Sequence, residues 1–137
     1  MHNYFLRTMK KLTLIVTFYF IAFLAGAQII EPIKWSFDSK QDGKEVELIF
    51  NATIDEGWHL YDTYLPEGGP IATSVVYDDS TRFEFIGELE KEPQPVEKFD
   101  KTFQMDLRYF SNEAVLTQKI RLTTDDPVEI SGYVLFM

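Results

Sequence analysis

A period of two dominates the chain and restricts its fold. Val46, Leu48, Phe50, Ala52 and Ile54 fall on one side of an extended segment, and Glu45, Glu47, Asn51 and Thr53 on the other. This is the pattern of a half-buried β-strand, in which successive side chains point to opposite faces. It recurs in Ile33, Trp35 and Phe37, in Phe83, Phe85 and Leu89, in Phe103, Met105, Leu107 and Tyr109, and in Leu116, Ile120 and Leu122. Turn chemistry separates the runs: Gln41-Asp42-Gly43-Lys44, Asp78-Asp79-Ser80, Ser111-Asn112-Glu113 and Thr124-Asp125-Asp126-Pro127. Lys91 to Lys101 contains Pro93 and Pro95 and is expected to be a loop. Val128, Ile130, Val134 and Phe136 form the last run. About seven or eight short strands at near-regular spacing predict an all-β chain, an immunoglobulin-like β-sandwich, with a small closed barrel as the alternative. Phe50 and Leu107 are expected in its core.

The first 27 residues stand apart. Arg7, Lys10 and Lys11 precede the apolar run Leu12 to Leu24, and Ala25-Gly26-Ala27 follows it. A basic segment, an apolar segment and a small-residue site make a cleavable signal peptide over residues 1–27, and the run is shorter than the roughly 20 residues that span a bilayer. Residues 28–137 are then a single exported domain of about 110 residues, long enough to bury an apolar core. Its expected location is the periplasm.

Charge and cysteine content exclude several functions. Residues 1–27 hold three of the 13 basic residues and none of the 22 acidic ones, so the remainder carries 10 against 22, a net charge of −12. Nucleic acid, which needs a basic face, is not an expected partner. The chain has no cysteine, so a disulfide framework, thiol exchange and cysteine–metal sites are absent from it. His59 is the one histidine beyond the leader. A lone imidazole cannot build a histidine-rich zinc site, and no nucleophile motif accompanies it. No cofactor, metal or catalytic residue is assigned.

The densest cluster of aromatics is Gly57-Trp58-His59-Leu60-Tyr61, running on to Leu65-Pro66-Glu67-Gly68-Gly69-Pro70. Pro66 fixes its own φ and the two glycines permit positive φ, so the chain must bend after the aromatics. Trp58 and Tyr61 serve either as core of a small β domain or as a binding ledge at a strand edge. Phe99, between Lys98 and Asp100 in the charged loop, is costly to expose and must pack on something.

These segments, together with Glu97-Lys98-Phe99-Asp100-Lys101 and Ser131-Gly132-Tyr133-Val134-Leu135-Phe136-Met137, resemble the N-terminal periplasmic domain of the thiol:disulfide interchange protein DsbD, in its Bacteroidetes-like form. The resemblance covers nearly all of the chain after the leader. It implies a domain that relays reducing equivalents from a membrane electron-transfer domain to periplasmic thioredoxin-like redox proteins. It also implies that Phe99 belongs to a cap loop shielding a redox site, that Tyr61 lines that site, and that His59 and Trp58 stand beside it. The family is a thiol:disulfide oxidoreductase, and exchange requires a thiolate; without cysteine this chain should be redox-silent alone. The strand pattern from Gly132 runs to the last residue, and in the resembling family such a segment leads into the first redox cysteine. Met137 is therefore expected to be a truncation point, with the closing strand of the sandwich missing. The alternative is a cysteine-free periplasmic β-sandwich that binds a protein or ligand through Trp58, Tyr61 and Phe99, or a structural module of a larger envelope protein.

Overall fold

A computed structural model of the protein describes residues 30–137. The leader therefore lies outside the described residues. Nine strands follow in order: β1 (Ile33–Asp42), β2 (Glu45–Ile54), β3 (Leu60–Tyr61), β4 (Ser74–Tyr77), β5 (Phe83–Glu92), β6 (Val96–Asp100), β7 (Met105–Phe110), β8 (Glu113–Leu122) and β9 (Gly132–Leu135). All pairings are antiparallel. One sheet has the order β1-β2-β8-β5. The others have the orders β3-β7-β6 and β4-β9. No helix occurs among the described residues, and none is long and apolar enough to cross a membrane. The sheets pack together as a β-sandwich. Because β1 and β5 are edges of the large sheet, it does not close into a barrel.

The turns form where the sequence supplies the residues for them. Asp42 pairs with Glu45, so the β1–β2 hairpin closes through Gly43 and Lys44, with Gly43 at φ 58°. Gly132 answers a different need. A Cβ there would collide with the Val76 carbonyl oxygen across the β4–β9 ladder, so only glycine allows this approach.

The core is two clusters divided along β2 and β8. Ala52, Ile54, Leu60, Phe110 and Ala114 make the first, with Ile33 and Trp35 packed against it. Val46, Phe83 and Ile120 make the second, flanked by Leu48, Tyr77, Leu122 and Ile130. Tyr77, Phe83 and Phe85 meet edge to face or tilted, with ring centroids 5.3–5.6 Å apart, a geometry set by their ring quadrupoles.

Three expectations require correction. Lys91 to Lys101 is not one loop. The two prolines fall in the short connection after Glu92, and Val96–Asp100 is left free to pair with β7. The last run is strand only over Gly132–Leu135, since Thr124 to Ser131 is irregular. Phe50 is half-buried, not core; its ring meets Phe37 edge-on at 5.9 Å, and Phe37 is itself 64% exposed. Leu107, by contrast, is buried as expected, at 1% exposure.

This burial map fixes the relative cost of two truncations. Phe110→Ala, at a fully buried site, should destabilise the domain by roughly 3–5 kcal/mol. Phe50→Ala should cost clearly less. Urea unfolding of both variants measures the difference, and equal losses would contradict the half-open position of Phe50.

Candidate functional site

The segment between β2 and β4 builds the site. Asp55 begins a turn in which its own N–H donates to the Pro32 carbonyl at 2.8 Å and its carbonyl accepts from the Trp58 N–H at 3.1 Å. Gly57 completes the turn at φ 85°, a left-handed conformation that glycine takes without steric cost. The chain then enters β3 against β7, with Leu60 opposite Phe110 and Tyr61 opposite Tyr109. Alternation sends Leu60 into the core, where it is fully buried, and Tyr61 to the other face. On that face the His59 ring stacks on Tyr109, with centroids 4.1 Å apart and planes 29° apart. His59 Nδ1 lies 3.0 Å from Ser111 Oγ. Burial, and then the charge of Asp100, push the Tyr61 phenol above its ordinary pKa.

Asp62 is the residue that sequence reasoning missed. Its side chain is completely buried. Oδ1 accepts from Lys91 Nζ at 2.8 Å and from the Thr63 N–H at 2.7 Å. Oδ2 faces Arg108 Nη1 at 3.5 Å, an ion pair without hydrogen-bond geometry. The Asp62 backbone is held as well. Its N–H donates to the Arg108 carbonyl at 2.9 Å, and its carbonyl accepts from the Thr73 N–H at 3.1 Å. The Thr73 hydroxyl donates to the Tyr61 carbonyl. A signal for Asp62 was available, because alternation places it on the same inward side as Leu60.

The bend after the aromatics is present. The Gly69 N–H donates to the Pro66 carbonyl at 3.3 Å, and Gly68 takes φ 83°. The turn lies against β7: a Cβ on Gly69 would meet Met105 Sδ at 3.3 Å and Leu107 at 3.4 Å. Beyond it, the Tyr61 N–H donates to the Met137 carbonyl at 3.5 Å, and the Phe136 ring lies 5.6 Å from Trp35. Gly132 to Met137 thus runs up to the edge of β3.

His59 and Tyr61 are therefore brought together, around Tyr109. Trp58 is half-exposed beside them in the turn. Phe99 stands elsewhere. It lies in β6 opposite Asp106, while Val96 is the residue opposite Tyr109. The register puts Phe99 on the opposite face of the β3-β7-β6 sheet from Tyr61, and it is 52% exposed. Asp100 ends the strand by accepting from the N–H groups of Thr102 and Phe103. Among the described residues no group of three His, Cys, Asp or Glu side chains could hold a metal ion.

Residues 27–136 match the family model described as thiol:disulfide interchange protein DsbD, N-terminal. The chain belongs to the DsbD N-terminal family. No curated protein and no solved structure matches it. The DsbD N-terminal domain is periplasmic in general and works in thiol–disulfide relays, yet this chain carries no cysteine among its 137 residues. Its described residues present a stacked and hydrogen-bonded aromatic face with the Gly132–Met137 segment laid beside it.

If the Asp100 charge acts on Tyr61, the Asp100→Asn variant should titrate Tyr61 at a lower pH than the parent, with burial still holding it above 10.0. Ultraviolet or NMR titration of the phenol reads this directly. An unchanged midpoint would remove Asp100 from the site.

Proposed function

We propose that this domain serves a periplasmic thiol–disulfide relay as the module that seats thioredoxin-like partners, with the thiols of the relay carried outside these 137 residues. Export through a signal peptide at residues 1–27, cleaved after Ala27, belongs to this reading. The observation that carries it is the meeting of Tyr61 with Met137 beside the His59–Tyr109 stack, in a chain whose residues 27–136 fit the DsbD N-terminal family. Tyr and His rings present apolar faces with polar tips, the composition that anchors protein contacts. Electron transfer in such a relay is attack of a thiolate on a disulfide sulfur, so the domain's own share is recognition and positioning. In this role Tyr61, His59 and Trp58 line the docking face, and Phe99, on the opposite face of the β3-β7-β6 sheet, takes no part in it.

The absence of cysteine also supports a second reading, a β-sandwich that binds a periplasmic partner without redox chemistry. The two separate by partner. Titration of the chain with a reduced periplasmic thioredoxin-like protein should show saturable binding without disulfide exchange. Tyr61→Ala should weaken that binding by about tenfold or more, as expected for an aromatic anchor. Absence of binding to any thioredoxin-like protein, with the fold intact by circular dichroism, would overturn the relay reading in favour of the second.

A further inference from the structure

The outer face of the β4–β9 ladder is apolar and open to water. Tyr77 of β4 packs on Phe83 and Phe85 of the large sheet, so its side chain points inward. Alternation and register then turn Val75 and Val134 inward, and Ser74, Val76, Tyr133 and Leu135 outward. Burial agrees with this parity. Tyr133 is 57% and Leu135 45% exposed, while Val134 between them is half-buried. Past the strand, the Phe136 ring meets Trp35 beside the core, and Met137 is exposed. Gly132 to Met137 holds no charged residue, so no charge interrupts the outward row.

This row runs into the Tyr61 face. Leu60 is buried in the core, so Tyr61 lies on the outer side of its sheet, where it pairs with Tyr109. The Tyr61 N–H donates to the Met137 carbonyl, which joins β3 to the end of the β9 segment. Tyr109, Tyr61, Met137, Leu135 and Tyr133 therefore follow one another across a single outer surface. Isolated apolar side chains are ordinary on a protein surface, but a contiguous row of them marks an interaction site. Aromatic residues and methionine without charge are also the composition of an interface centre. An open ladder offers a flat surface, whereas small molecules take concave sites. A second copy of the chain is opposed by charge, since residues 28–137 carry 10 basic against 22 acidic side chains and like net charge keeps such chains apart.

We propose, resting on the docking role given above to Tyr61, that the docking face extends along β9, with Met137, Leu135 and Tyr133 as the apolar centre of the contact with a thioredoxin-like protein. The row also defines the surface that covers it. The area of the partner that meets Leu135 and Tyr133 is apolar and uncharged, because a charge buried against this row would find no opposite charge there. The docking face selects its partner by apolar match along β9, in addition to the aromatic contacts at Tyr61.

The test is titration of the isotopically labelled chain with a reduced periplasmic thioredoxin-like protein. Amide resonances of Tyr133 and Leu135 should shift and saturate together with that of Tyr61. Leu135→Asp and Tyr133→Asp each place a charge at an exposed, outward position, and each should weaken binding by about tenfold or more. Leu135→Ala and Tyr133→Ala, which add no charge, should weaken it as well, though less. Ser36→Asp adds the same charge to the exposed outer side of β1, across the sandwich, and should bind like the parent. If the parent binds and Tyr61→Ala weakens binding while the four β9 variants do not, the docking face ends at Tyr61; the extension is then overturned and the relay reading stands. If the parent binds no thioredoxin-like protein, both fall. Equal losses in Ser36→Asp and Leu135→Asp would show a response to net charge alone and would also overturn the extension. Shifts of Tyr133 and Leu135 that grow with protein concentration without partner would assign the row to a second copy. Shifts produced by vesicles of phosphatidylethanolamine and phosphatidylglycerol would assign it to a lipid surface. Both contradict the proposal.

Discussion

The Asp62 carboxylate is the constraint on which this site depends. It is fully buried between Lys91 and Arg108, and a carboxylate in such a place persists as an ion only if the cost of leaving water is offset by close opposite charge and hydrogen bonds. Lys91 comes from β5 of the large sheet and Arg108 from β7 of the facing layer. One side chain therefore ties both layers to the segment that follows β3. Without it, β3 would be two residues of ladder, too little to hold a strand in place.

The aromatic face follows from that clasp. With Asp62 fixed, Tyr61 is held opposite Tyr109, the His59 ring closes onto Tyr109, and the Tyr61 N–H is aimed at the Met137 carbonyl. Thr73 secures the same point from the other direction by bonding the carbonyls of Tyr61 and Asp62. Membership in the DsbD N-terminal family gives this arrangement its context. Toward the β1–β2 hairpin, Phe37 is exposed and Phe50 half-buried beside a cleft whose Asp125 and Asp126 are paired with Lys44 and Arg82.

Much of the fold was legible in the sequence because alternation reports burial directly. Ala114, Leu116, Gln118 and Ile120 alternate inward along β8 as the pattern requires. Legibility failed where tertiary pairing overrode local signals. Prolines 93 and 95 suggested a loop, but Val96–Asp100 lies just beyond them and finds a partner in β7. Phe50 sits on the inward face, yet periodicity cannot tell whether anything lies opposite. Of the site, the aromatics of the Gly57–Tyr61 segment were readable from composition, and the register decided their grouping. Tyr109 joins His59 and Tyr61 only through the β3–β7 pairing, and Phe99 is turned away from them by the β6–β7 register. Alternation with Leu60 marked Asp62 as inward, but its role stayed unreadable because its two cations, 29 and 46 positions away in sequence, meet it only in the fold.

The most direct measurement of this account is a double-mutant cycle on Asp62 and Lys91, read by urea unfolding together with hydrogen exchange at the Tyr61 amide. Asp62→Ala alone should cost roughly 3–5 kcal/mol by stranding a buried cation. Combined with Lys91→Met, part of that loss should be recovered, giving a coupling above about 1 kcal/mol. Exchange at Tyr61 should accelerate in the single variant more than at Leu116 in the core. Additive energies and an unchanged Tyr61 exchange rate would show that the clasp does not hold the aromatic face, and would contradict the account.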